Sequence, residues 1–300
     1  MIFMIDLKHV ETFHCIVRLG SFSAAAIQLR TTQPAISARI RELERELGVK
    51  LFSTSSRRAA LTPKGAEFVR HAEELLALVK RITNSIGNLA EMPARIRLGA
   101  TETTAATWLE NFVERVLVTY PNVVLDVDIG LTGDIWRRYH NGFLDMIIVP
   151  AANIENKVEA VQLGDVPCQW IAGSKFDLQN LSLTPAELGR LPLISLSSES
   201  ALFQLADQWF RAQGVSPNWV NFSSSMSMVT SLIKLGLGVS LLPVGVLGAG
   251  LEGENIQIID VQPDEFLLSF FAVYDSYSTS PILGEVARIA AEASTFTKSA

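Results

Sequence analysis

Gln33, Ser37, Arg39 and Arg41 put an amide, a hydroxyl and two guanidinium groups on one short segment, and Arg57 and Arg58 follow in the Ser-rich run STSSRR. Amides and hydroxyls of this kind reach base edges in a DNA groove, while arginines serve either base edges or phosphates. Ser23, Thr32 and Pro34 stand at the starts of the two helices that carry this chemistry, and they complete the expected DNA-facing set.

Positioning these groups takes a compact helical scaffold, and the flanking residues supply one. Leu7, Val10, Phe13 and Val17 recur at helical spacing, and Gly20 ends that helix. Ser21 or Ser23 caps a second helix over Ala24–Leu29, whose alanines allow close helix–helix approach. Thr31 and Thr32 make the turn, and Pro34 lies in the first turn of a third helix, where its missing N–H costs nothing. Ile36, Ile40, Leu43 and Leu47 form the buried stripe of that helix, with Gly48 as its cap. Two helices in a tight pair, with the second offered to a major groove, are a helix-turn-helix. The arginine pair after Leu51-Phe52 reads as a wing on the minor groove or backbone.

Charge supports this reading. The chain of 300 residues has a net charge of −6, but residues 1–65 hold ten Lys/Arg against five Asp/Glu. Residues 94–300 hold twelve against twenty-two, so the acidity lies outside a basic N-terminal module. The alternative is a solvated helix face on which Arg39, Arg41 and Arg45 pair with Glu42, Glu44 and Glu46. Turn chemistry, charge asymmetry and wing occurring together favour DNA.

The segment resembles the DNA-binding domain of the LysR-type transcriptional regulators. It has Gln33-Pro34-Ala35, Ser37, Leu43-Glu44, Leu47-Gly48, Leu51-Phe52 and Leu61-Thr62-Pro63 with Gly65 in register. It departs at Ala38 and Thr54, where the family often carries a contact residue, which bears on base choice and wing contact.

Thr62 and Pro63 start a long helix in which Phe68, Ala72, Leu75, Val79, Ile82, Ile86 and Leu89 repeat at alternating steps of four and three. An unbroken seam of that kind predicts a coiled coil, hence two recognition helices offered to a two-fold-related DNA site. Gly87 and Pro93 close the helix, with a hinge over 90–94. The resemblance implies the same homodimer, often paired into a homotetramer.

From Arg95 onward strands and helices alternate, which predicts α/β units with largely parallel sheets. The expected fold is therefore α/β: a winged helix-turn-helix over 1–62, a coiled-coil linker helix over 63–92, and a two-lobed effector-binding domain over 93–300. Lobe 1 takes about 93–164 and 266–300, and lobe 2 about 165–265. The resemblance implies the same plan, like a periplasmic binding protein, with Gly142 and Asp145 and the run Gly236-Leu237-Gly238 with Leu242-Pro243 as its marks. Ligands in open α/β sheets sit at the carboxyl ends of strands, here between the lobes. Ala100, Thr101, Glu102, Thr103 and Thr104 begin a helix in one lobe, and Ser223 and Ser225 do so in the other. Thr132, Ser195, Ser197 and Ser198 are the further contributors. Helix starts with hydroxyls hold anions, so the expected effector is a small carboxylate. Glu102 disfavours a second negative charge nearby and could accept from a ligand N–H. The bland alternative for each Ser and Thr is a plain helix cap. Trp108, Trp136 and Trp170 read as core.

Enzyme chemistry finds little support. His9, His14, His71 and His140 all lie in the first half of the chain, no Gly-x-Ser-x-Gly elbow occurs, and Gly236-Leu237-Gly238 lacks the third glycine of a dinucleotide fingerprint. No metal-ligand spacing occurs, so neither catalytic residues nor a cofactor nor a metal is expected. Cys15 and Cys168 are too few for a disulfide scaffold. MIFMIDLKHV meets Asp6 and Lys8 too early for a signal peptide, which argues against a transport-type solute-binding protein and for the cytoplasm, without a membrane partner. The expected function is transcription regulation through double-stranded DNA, with the effector altering DNA bend and the access of RNA polymerase.

Overall fold

A computed structural model describes residues 5–53, 59–86, 93–151, 158–178, 181–243, 255–262, 266–276, 280 and 282–298. The head starts with α1 (Leu7–Leu19), capped by the Asp6 carboxylate and ended by Gly20 at φ 64°. Helix α2 (Phe22–Gln28) is capped by Ser21, the earlier of the two expected serines. Helix α3 (Gln33–Leu47) starts on the Thr32 hydroxyl, which accepts from the Ala35 amide, and ends on Gly48 at φ 69°. Val10, Phe13, Ile16, Ile36, Leu43 and Leu51 are fully buried between these helices. An antiparallel bridge between Phe52 and Leu61 closes the base of the wing. Its tip, with Thr54, Arg57 and Arg58, lies outside the described residues.

Helix α4 (Pro63–Ile86) divides its apolar residues between two faces. Phe68, Ala72 and Leu76, at steps of four, join the head's own core. Leu75, Leu78 and Ile82 point outward, 39%, 44% and 49% exposed. The expected seam is therefore corrected: Phe68 and Ala72 are used within the head, because α4 must cover α1. Among the described residues, Leu75, Leu78 and Ile82 remain for a partner. The side chain of Ile86, with Gly87 and Leu89, lies outside the described residues.

In the body, β1 (Ala94–Ala100) lies between β2 (Val123–Ile129) and β3 (Met146–Pro150), all parallel. Strand β10 (Leu267–Asp275) returns antiparallel to β3 and to β4 (Val158–Gly173). Strand β4 continues from Cys168 to pair antiparallel with β8 (Val239–Pro243) and β9 (Ile256–Val261). Beyond β8 lie β6 (Leu193–Leu196) and then β7 (Trp219–Ser223), in parallel, while β5 (Ser182–Leu183) pairs with β9. The sheets are thus mixed: β10 runs against β3 and β4 runs against β8 and β9, and these two antiparallel strands carry the chain between lobes. The helical segment after β1 is broken in two. A short α5 (Glu102–Ala105) stops before Trp108, which turns its buried ring onto Phe112 and Phe296, and α6 (Leu109–Thr119) resumes. Helices α7 (Thr132–His140), α8 (Pro185–Leu188), α9 (Ala201–Ala212), α10 (Met226–Lys234) and α11 (Ile282–Ala293) cover the sheets. No helix among the described residues is long and apolar enough to cross a membrane.

The head docks on the first lobe through the Gly142–Asp145 turn. Gly142 has φ 76°, and a Cβ there would meet the Ala24 carbonyl oxygen at 2.8 Å. Asp145 accepts from the Arg97 amide and guanidinium on β1, and also from Gln28 Nε2 at 3.1 Å in the head. Arg30 sits in the turn between α2 and α3 at φ 50°, a left-handed conformation that costs a side-chain-bearing residue about 1 kcal/mol. Its guanidinium donates to the Arg95 carbonyl at 2.6 Å and lies 3.4 Å from Asp145.

Candidate DNA-binding and effector sites

Helix α3 presents Thr32, Gln33, Pro34 and Arg41 to solvent, with Ser23 exposed on α2 and Ser37 half-buried. Arg39 differs. It lies one turn from the buried Ile36 and is half-buried, and its Nη1 donates to Thr12 Oγ1 of α1 at 3.3 Å. Arg45 pairs with Glu42. Of the two arginines expected at the groove, Arg41 is the one offered outward. Thr32 is committed as the helix cap, and Pro34 lies in the first turn.

Glu44, read from the sequence as a family mark and as a possible partner on a charged face, has a structural role. It is 7% exposed, and its Oε1 accepts from the Leu51 and Phe52 amides at 2.9 and 3.3 Å. Its other oxygen meets Lys50 Nζ at 2.7 Å. Burial pushes this carboxyl up, but the bonds from Lys50 and the two amides outweigh it and hold the group below its ordinary value. Glu44 thereby aims the wing strand from inside the head.

The strand ends of β1, β2 and β6 and the starts of α5, α7, α9 and α10 converge between the lobes on a cavity of about 30 Å³. Among the expected effector residues, Thr101, Glu102, Thr103 and Thr132 line it. Ala100 is buried at the end of β1, where its carbonyl accepts from Gly130 N, and Thr104 is fully buried beneath. Ser195, Ser197, Ser198, Ser223 and Ser225 do not reach the cavity. Ser195 is buried in β6, and Ser198 is exposed. The Ser197 amide donates to the Ser223 carbonyl, and Ser223 Oγ accepts from the Ser225 amide. Ser225 caps α10. These serines build the second lobe's wall instead of its lining.

Sequence reasoning missed Ser200, which caps α9 and lines the cavity. It also missed the floor of Pro150 at the end of β3 and of Leu268 and Phe270 on the crossing strand β10. All five residues of MIIVP are buried in β3, and the last of them, Pro150, reaches the cleft.

Among the described residues, three contacts join the lobes across this cavity. Glu102 Oε2 accepts from the Met226 amide at 2.5 Å. The Gly133 amide donates to the Glu199 carbonyl at 2.8 Å, and Arg137 Nη2 meets Glu199 Oε2 at 2.5 Å. A Cβ on Gly133 would lie 3.2 Å from that carbonyl oxygen, so the closed cleft favours glycine there.

Trp108 and Trp170 are buried, as core, and Trp136 is partly buried beside Tyr139. Cys15 and Cys168 are free and buried, and burial pushes both thiols up to about 12. A thiol so far from ionisation is a poor nucleophile.

Comparison with known proteins agrees with this geometry. A family model described as the LysR substrate binding domain matches residues 90–294, and one described as the bacterial regulatory helix-turn-helix protein of the lysR family matches residues 7–66. The chain is 26% identical over 284 residues to the HTH-type transcriptional regulator PecT of Dickeya dadantii, covering 94% of this chain and 87% of PecT. A full-length point variant of OxyR from Pseudomonas aeruginosa superposes with a TM-score of 0.64 at 20% identity, covering 97% and 96% of the two chains. CbnR in complex with its target DNA does so at 0.53 and 15%, covering 96% and 99%. A helix-turn-helix head on a two-lobed α/β body, matched along nearly its whole length, makes this chain a member of the LysR family of transcriptional regulators, which are DNA-binding proteins and not enzymes.

Proposed function

We propose that the chain binds a two-fold-related promoter site as a homodimer or homotetramer, and that a small carboxylate held between the lobes controls it. Residues 1–62 read the DNA, the helix within 63–92 pairs the subunits, and residues 93–300 sense the effector. The observation that carries the effector class is the bond from the Met226 amide to a carboxylate oxygen: the start of α10 already holds that chemical group. Closure or rotation of the lobes shifts the spacing of paired recognition helices, and with it DNA bend and the access of RNA polymerase. A reader of promoter DNA works where that DNA is, in the cytoplasm.

The test is a thermal-shift screen of the full chain against small metabolite carboxylates, aromatic ones included, followed by a DNA footprint with each hit. A hit that stabilises the protein and alters the footprint is expected. Hits that leave the footprint unchanged, or stabilisation only by cations and neutral compounds, would overturn the reading.

A further inference from the structure

We infer that Glu102 is a tethered competitor for the effector: its carboxylate occupies the anion-binding start of α10, and an incoming carboxylate must displace it. The inference rests on the reading of the inter-lobe cleft as the effector site. Glu102 belongs to lobe 1, yet its Oε2 lies 2.5 Å from the amide of Met226, a residue 124 positions away on the other lobe. Helix α10 is long enough to carry a positive N-terminal pole, and the Met226 amide is at that pole. The bond is charge-assisted and stronger than its neutral counterpart.

A second observation points to a ligand in the same place. Thr101 is 7% exposed, lines the cavity, and has a buried Oγ1 with no hydrogen-bond partner. A buried hydroxyl left unpaired costs about 1–3 kcal/mol, and an effector oxygen in the cavity that Thr101 and Met226 both line would relieve it. The cavity of about 30 Å³, open on one side, has room for a water and not for a carboxylate effector. Something must therefore leave, and Glu102 has somewhere to go. It also lines an open groove of about 630 Å³ on the other side, bounded by Ala106, Thr230 and Lys234. An outward swing takes the carboxylate from the helix pole to that groove and frees the pole for the ligand. The other two lobe contacts, both on Glu199, hold the cleft together meanwhile. The device sets a threshold: ligands too weak to outbid an internal carboxylate leave the protein unchanged.

Hydrogen exchange of the Met226 amide in the full chain reads this directly. In Glu102→Ser, which keeps a polar helix start, exchange at Met226 should quicken at least tenfold. Sodium acetate or formate at tens of millimolar should restore protection in that variant, and sodium chloride should not. Wild type should show no response to either salt. In Glu102→Gln, which keeps the shape and loses the charge, benzoate should bind about tenfold more tightly than to wild type by calorimetry. Equal exchange in wild type and Glu102→Ser, or quickened exchange that acetate does not rescue, would overturn the inference. So would unchanged benzoate affinity in Glu102→Gln, which decides the matter alone should the serine variant not fold. A footprint indifferent to every metabolite would sink the proposed function while leaving acetate rescue intact, so the two failures are distinct.

Discussion

The guanidinium of Arg18, in the last turn of α1, lies 3.0 Å from the carboxylate of Asp275, at the end of β10, with both side chains about one-eighth exposed. The Tyr139 ring stacks over the same guanidinium, 5.9 Å away. This pair and the Gln28–Asp145 bond tie the DNA-reading head to the first lobe. Removing one member of a buried pair leaves a charge without its counter-ion, at a cost of about 3 kcal/mol. Arg18→Ala should therefore uncouple the units: in urea the head should unfold before the body, where the wild type shows closer transitions. Coincident transitions in the variant would show that the pair does not join them.

Glu44 makes the head's stability depend on acid. Its folded-state pKa is depressed, so its contribution is fully present above the ordinary carboxylate value and is lost as pH falls through the lower, folded one. Glu44→Gln should destabilise the head by about 1–3 kcal/mol at neutral pH, since one amide oxygen cannot replace two carboxylate oxygens. The gap to wild type in chemical denaturation should close as pH drops below about 4.3. A gap that stays constant to pH 3 would assign the loss to packing instead of charge.

The local parts of this fold were legible because their causes are local. Thr32 and Pro34 mark the start of α3 and Gly48 its end through capping geometry that spans a few residues. The Leu75–Leu76 question was not legible. A heptad reading takes Leu75, whereas α4, packing on α1 at steps of four, buries Leu76 to 2%. Thr101, Glu102 and Thr103 were placed at the cleft from strand-end logic, but the reach of Glu102 to Met226 depends on how two lobes close, which no sequence window contains. Asp145 was visible as a family mark, while its partners Gln28 and Arg97 lie far away in the chain.

Arg41 and Arg39 should separate in DNA binding. Arg41 is exposed, so Arg41→Ala should weaken affinity with little change in stability, and flatten the slope of log affinity against log salt by about one. Arg39 holds Thr12, so Arg39→Ala should also destabilise the head, by about 1 kcal/mol. Fluorescence anisotropy across a salt series, paired with thermal melts, checks both. An unchanged salt slope in Arg41→Ala would remove that residue from the interface.

Neither thiol should act as a redox sensor. With burial raising both to about 12, Cys15 and Cys168 should react with a thiol reagent such as DTNB only after denaturation. Peroxide treatment of native protein should leave the DNA footprint unchanged. Rapid labelling of either thiol in the folded chain would contradict the burial on which this rests.

Leu78 and Ile82 should decide the oligomer. They face outward from α4 with Leu75, at steps of three and four, and none of the three belongs to the head's buried core. An apolar row of this spacing on a helix is what a second copy of the helix would cover. A charge in that row would be buried without a partner on association, yet would be solvated in the lone chain. Leu78→Glu with Ile82→Glu should therefore leave helix content and the thermal melt of the body unchanged while shifting sedimentation toward the monomer. Affinity for a two-fold-related site should fall by at least tenfold, because each monomer then grips one half-site alone. Sedimentation identical to wild type would place the subunit contact elsewhere.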